Sequence, residues 1–262
     1  PKTPKPLSFE FIINKKHYGI IAVPQTDEEV AALVHINEEI SSFESSVNEE
    51  FLTIKTGDYQ RLIFETVDLR EAEEEKLDAF REYCKENNIT IPEGYDDEKR
   101  FLLRVLQGKK WKNEVAAAEI KTHSEWKAAT YPLKYDPVKE MLSTGVIYGH
   151  KETSAKGRSH CELCKDPADG RVVDSIVAAT NFFLDHVISK AMVPGKIESW
   201  TTIFDLKGIG ASQMSNKNIQ QVVKVMQKNY PGRLYHFYGI EVGLLFRGVW
   251  AIAHQFVDDF TK

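Results

Sequence analysis

Ile203-Phe-Asp-Leu-Lys-Gly-Ile-Gly210 reads as a buried strand that ends at an acid and breaks into a glycine turn. Further on come Tyr230-Pro-Gly-Arg-Leu234 and the amphipathic run Leu244–Phe260. Strand, turn, helix, strand and apolar helix in that order predict an α/β fold: a parallel or mixed sheet with crossover helices and one oily helix laid across it. Strands are expected at Gly145–Tyr148, Ser159–Cys164, Ser199–Leu206 and Tyr235–Ile240, alternating with helices at Asp174–Met192, Asn216–Asn229 and Leu244–Phe260.

Upstream, the period changes to that of helices alone. Glu71–Asn88 places Leu77, Phe80 and Cys84 three and four residues apart. Asp96 or Asp97 can cap a helix over Glu98–Gln107, with Phe101, Leu102 and Val105 inward. Asn113 opens a third helix to about Thr130, with Val115, Ala118, Ile120, Trp126 and Ala129 on its apolar side. Residues 7–68 read as a separate small α+β unit: a hairpin around Lys15-Lys16-His17, a helix opened by the capping box Thr26-Asp-Glu-Glu29, and a second hairpin around Gly57-Asp58. The expected division is 1–68, 69–132 and 133–262.

The net charge of −5 hides an asymmetry. Residues 1–99 carry 11 basic and 23 acidic side chains, residues 100–262 carry 23 and 16. The acidic front argues against nucleic acid as a partner. The basic remainder suits anionic headgroups, at roughly 1 kcal/mol per surface cation, or serves solubility alone. Three cysteines are too few and odd in number for a disulfide framework, which favours a reducing, cytoplasmic setting. No apolar run approaches the ~18–20 residues of a membrane span. Pro1-Lys-Thr-Pro-Lys-Pro6 reads as a tail or a cut edge.

Chemical motifs are incomplete. Gly208-Ile-Gly210 stands between strand and helix, yet Gln213 replaces the third glycine of a dinucleotide fingerprint and no acid follows at ribose distance. Cys161 and Cys164, three apart on a strand, point to opposite faces and lack a second pair, so no metal is expected. Asp205, at a strand end, reads as a turn-tying carboxylate, with a catalytic acid as the alternative. No Gly-x-Ser-x-Gly elbow occurs. In Leu244–Phe260, Phe246, Val249, Trp250, Ala253, Phe256, Val257 and Phe260 form one helical stripe. It is either core packing or a helix that covers an apolar cavity and touches a membrane.

Taken together, residues 71–262 resemble the CRAL-TRIO lipid-binding family, of the phosphatidylinositol-transfer type. The resemblance rests on Phe101-Leu-Leu-Arg-Val-Leu-Gln-Gly-Lys-Lys-Trp111, Gly157-Arg158, Ile203-Phe-Asp-Leu-Lys-Gly208, Tyr230-Pro-Gly-Arg-Leu234 and Phe256-Val-Asp-Asp-Phe-Thr261. It implies a non-enzymatic protein without cofactor, whose pocket is floored by the sheet and closed by Leu244–Phe260 as a gate. Phe182 and Trp200 are expected to join the gate residues in lining that pocket. It further implies headgroup contacts from Lys109, Lys110, Arg233, Thr202 and Thr261. The acid of the family's Tyr-Pro-Glu-Arg motif is Gly232 here, and the gate opens with Glu241-Val-Gly243 instead of Asn-Ala-Pro. At the choline-headgroup positions Cys161 and Trp200 replace a tyrosine and a serine, while Thr202 matches. The family continues past the gate, so a longer natural chain is expected. The implied partners are a phospholipid or similar hydrophobic ligand, a transient membrane surface, and a protein for residues 1–68. The alternative is the same fold with a filled pocket, used as an interaction module.

Overall fold

The computed structural model describes residues 51–53, 59–97, 99–143, 147–149, 160–164, 173–190, 192–205 and 224–240. The expected elements at 9–39 and the gate at 244–260 lie outside them, as does the start of the helix expected at 216–229, of which residues 224–229 are helical.

The hairpin around Gly57-Asp58 is present as β1 (Phe51–Thr53) antiparallel to β2 (Tyr59–Arg61). Three helices follow: α1 (Glu71–Glu86), α2 (Phe101–Gly108) and α3 (Asn113–Thr130). Their shared core holds Leu77, Phe80, Leu102, Leu106, Ala116 and Ile120, and Phe64 from the segment after β2 sits inside it. Packing therefore runs across the 68/69 boundary drawn from sequence.

Two local expectations are corrected. The helix expected from Glu98 starts at Phe101, because Arg100 takes a left-handed φ of 55°. Asp97 instead ties a turn, its carboxylate accepting from the Lys99 amide at 3.0 Å and its carbonyl from the Arg100 amide at 2.9 Å. On α3 the inward face is Ala116, Ala117, Ile120 and His123, whereas Val115, Ala118 and Ala129 are exposed. The apolar face was misread because alanine is equally at home on either side of a helix and the neutral face-forming histidine counted as polar.

A short helix α4 (Lys139–Ser143) leads into the sheet: β3 (Ile147–Gly149), β4 (His160–Cys164), β5 (Trp200–Asp205) and β6 (Leu234–Ile240), with α5 (Val173–Lys190) between β4 and β5. The spatial order is β3-β4-β5-β6. β3 is antiparallel to β4, while β4, β5 and β6 run parallel. Parallel strands need crossover connections, which α5 and the 224–229 helix supply. A second core, including Leu184, Val187, Met141, Met226, Trp200 and Tyr230, fills the space between these helices and the sheet.

Candidate functional site

The register of the parallel strands sets Cys161 of β4, Thr202 of β5 and Phe237 of β6 in one row, and Cys164, Asp205 and Ile240 in another at the strand ends. Two of the positions compared with a headgroup site, Cys161 and Thr202, are thus direct neighbours. Trp200 opens β5 two residues before Thr202, and the register with β6 slips by one residue between Trp200 and Thr201. Both are fully buried, and among the described residues neither the Trp200 Nε1 hydrogen nor the Thr202 hydroxyl finds a hydrogen-bond partner. Buried polar groups are nearly always satisfied, so these two atoms, two residues apart on one strand, are open to an outside acceptor. The Trp200 ring meets Tyr230 edge-on, 5.9 Å between centroids. Tyr230 in turn donates to the Asn181 carbonyl of α5 at 2.9 Å. Burial and the neighbouring Tyr131 and Asp185 push the Tyr230 hydroxyl far up, so it stays protonated.

The expected cations fall in two settings. Lys109 and Lys110 follow the C-terminus of α2, where positive charge suits the helix dipole. Lys109 pairs with Glu119 of α3 at 3.5 Å. Lys110 is exposed and left-handed at φ 53°, followed by Trp111 at φ 61°, whose ring lies under Lys76 at 4.1 Å. Two consecutive non-glycine residues in that region are strained. Arg233, directly before β6, is largely buried. It donates to the Glu198 carbonyl at 3.1 Å and faces Glu65 at 3.4 Å. Phe182 of α5 is half-buried, packed on Tyr135 with 5.7 Å between centroids. Thr261 and the gate residues Phe246, Val249, Trp250, Ala253, Phe256 and Val257 lie outside the described residues.

Behind this row stands a charged junction that hydropathy alone did not signal. The Glu198 carboxylate is fully buried and pairs with Arg104 of α2. It also accepts the amides of Phe64, Glu65 and Gly195, each at 2.9 Å. Arg104 further donates to the Gly232 carbonyl at 3.1 Å and lies over the Phe64 ring at 4.0 Å. Burial first, then the facing Arg233, pulls the Arg104 guanidinium down to about 9, which leaves it charged at neutral pH. Helical spacing hides this: Gln107 and Gly108 share the face of Arg104, which therefore reads as a solvent side although Arg104 is the one charge within Phe101–Leu106.

The described residues thus form an α/β domain with a helical subdomain ahead of a mixed sheet, its candidate site spread across the sheet rather than gathered into a catalytic cluster. A model of the CRAL/TRIO domain matches residues 85–262, and the chain belongs to that family, whose members bind and transfer lipids. Among solved structures, the one titled "Crystal structure of Sfh5" is similar with a TM-score of 0.54 at 19% identity, over 75% of this chain and 80% of that one. At that identity the likeness speaks for the fold, which agrees with the α/β architecture expected from sequence. No curated protein matches the chain. Among the described residues no helix is long and apolar enough to cross a membrane.

Proposed function

We propose that this chain is a non-catalytic carrier that holds a phospholipid over the β4–β5 row and exchanges it at a cytoplasmic membrane surface. The observation that carries the reading is the pair of buried, unpaired polar atoms on β5, Trp200 Nε1 and Thr202 Oγ1. An indole N–H can only donate, and a hydroxyl can donate as well as accept. A phosphate or ester oxygen accepts from both. Acyl chains supply the affinity, at about 0.8 kcal/mol per buried CH₂, and the 244–260 helix is the proposed gate. Lys109 and Lys110 stand as the cations that meet an anionic headgroup or bilayer, with Arg233 and Thr261 as further headgroup contacts. Phosphatidylinositol is the first ligand to try.

Native mass spectrometry on gently purified protein is the direct test, with a retained phospholipid as the expected result. Thr202→Val gives a sharper one. Without ligand it removes an unsatisfied buried hydroxyl, so stability in urea rises by about 1 kcal/mol. With ligand it removes a contact, so phosphatidylinositol transfer between vesicles falls roughly tenfold. Unchanged transfer would remove Thr202 from the site.

One observation favours a second reading. Trp200 is fully buried and packed on Tyr230. A ring of that size can fill the cavity itself, turning the fold into a protein-interaction module with residues 1–68 as the docking segment. A compact protein that takes up no lipid from mixed vesicles supports that alternative.

A further inference from the structure

We infer that residues 61–66 form a strap that ties the chain ahead of the matched domain to the start of β5, so that weakening the strap loosens β5. The family match begins at residue 85 and does not reach this segment. Residues 62–66 belong to no helix or strand. What holds them is a set of side-chain contacts at both ends.

At the first end, buried Arg61 donates through Nε and Nη2 to the two carboxylate oxygens of Glu73 on α1, at 2.8 and 2.6 Å. Its backbone also exchanges bonds with the Gln107 amide group of α2, at 2.8 and 3.0 Å. At the other end, the Phe64 and Glu65 amides donate to separate oxygens of Glu198. The Glu65 carboxylate faces Arg104 at 3.8 Å and Arg233 at 3.4 Å. Thr66, left-handed at φ 60°, lies so close to Gly195 that a methyl group there would collide with its hydroxyl.

The strap grips β5 because a buried carboxylate stripped of donors is costly. Two of the three backbone amides on Glu198 come from the strap. The Glu198 carbonyl accepts from Arg233, and the Trp200 amide donates to the Arg233 carbonyl at 2.8 Å. Strap, Glu198, Arg233 and the first residue of β5 are therefore one connected set. A pull on the chain ahead of residue 61 reaches the strand that carries Trp200 and Thr202.

Hydrogen–deuterium exchange on the full chain tests this. Glu65→Ala removes the carboxylate facing both arginines and leaves the Phe64 ring in place. The expected result is exchange about tenfold faster at the amides of 199–205, with 113–130 within about twofold of the parent. Leu77→Ala hollows the helical core instead, and is expected to speed α1 and α3 more than β5. If Glu65→Ala does not fold, Glu65→Gln keeps the shape without the charge and should give the same order with a smaller change. The strap is overturned if 199–205 is unaffected, or if the Glu65 variant and Leu77→Ala speed both regions in the same proportion. None of these readouts requires a lipid, so an empty pocket would count against the carrier reading and leave the strap to be judged on its own.

Discussion

Among the described residues two glutamates are fully buried, and they do different work. Glu73, on the first turn of α1, meets Arg61 twelve residues away. Its other role is local, accepting the Arg70 amide at 2.9 Å at the start of its own helix. Glu198 meets Arg104 across 94 residues of sequence and gathers two amides from the strap and one from Gly195 in its own loop. The first pair trims one layer. The second joins the helical subdomain, the strap and the sheet at one carboxylate. A buried charge pair adds little stability over an apolar pair of the same shape, but a buried charge that organises backbone amides from several segments has no apolar substitute.

The largest expected effect is at Glu198. Glu198→Ala leaves buried Arg104 with only the more distant Glu65 carboxylate and three amides without their acceptor, so unfolding in urea should show a loss of about 4–5 kcal/mol. Adding Arg104→Met should recover little of it. Glu73→Ala should cost about 3 kcal/mol. Here the double replacement Arg61→Met with Glu73→Leu should recover about 1 kcal/mol relative to the worse single variant: the two charges leave together, while the Ile63 and Asp68 carbonyls and the Arg70 amide lose their partners. Equal recovery at the two sites would abolish the distinction.

His123 provides a smaller, pH-dependent probe of the same seam. Its Nε2 donates to the Asn229 carbonyl at 3.1 Å and its Nδ1 accepts from the Tyr95 hydroxyl at 2.6 Å, the tautomer that satisfies both. Burial, the main cause, lowers its pKa to about 4. The unfolded chain takes up its proton near the ordinary 6.5, before the folded protein does. Stability is therefore fully present above about pH 6.5 and declines as pH falls toward 4, by about 2–3 kcal/mol from this group. His123→Phe should flatten that stretch of the stability–pH curve, measured by urea unfolding at each pH. A parent-like slope in the variant would assign the decline to other groups.

Much of the architecture was legible because it rests on period. The four sheet strands fall within a residue or two of Gly145–Tyr148, Ser159–Cys164, Ser199–Leu206 and Tyr235–Ile240; α1 and α5 stand where their apolar spacing put them, and α3 has the expected bounds with a different inward face. What escaped is what period does not encode. Arg61, Glu73, Arg104 and Glu198 are charges, and a hydropathy pattern assigns charges to water unless a partner is known. Their partners lie in other segments, so no window of sequence contains both halves of the Glu198 pair. The candidate site divides in the same way. Thr202 and Trp200 were named from resemblance, and the strand register then set Thr202 beside Cys161. Arg233 was read as a headgroup cation, and the structure adds its internal bonds to Glu198 and Glu65.

The Cys84 thiol lies under α1, 2% exposed, and burial pushes its pKa above the ordinary thiol value. A thiol so placed reacts with an alkylating reagent only when the helical layer lifts away from it. The chain thus carries its own chemical stopwatch: the pace at which Cys84 gains an adduct, followed by peptide mass, counts how often that layer opens without any foreign label having been attached beforehand.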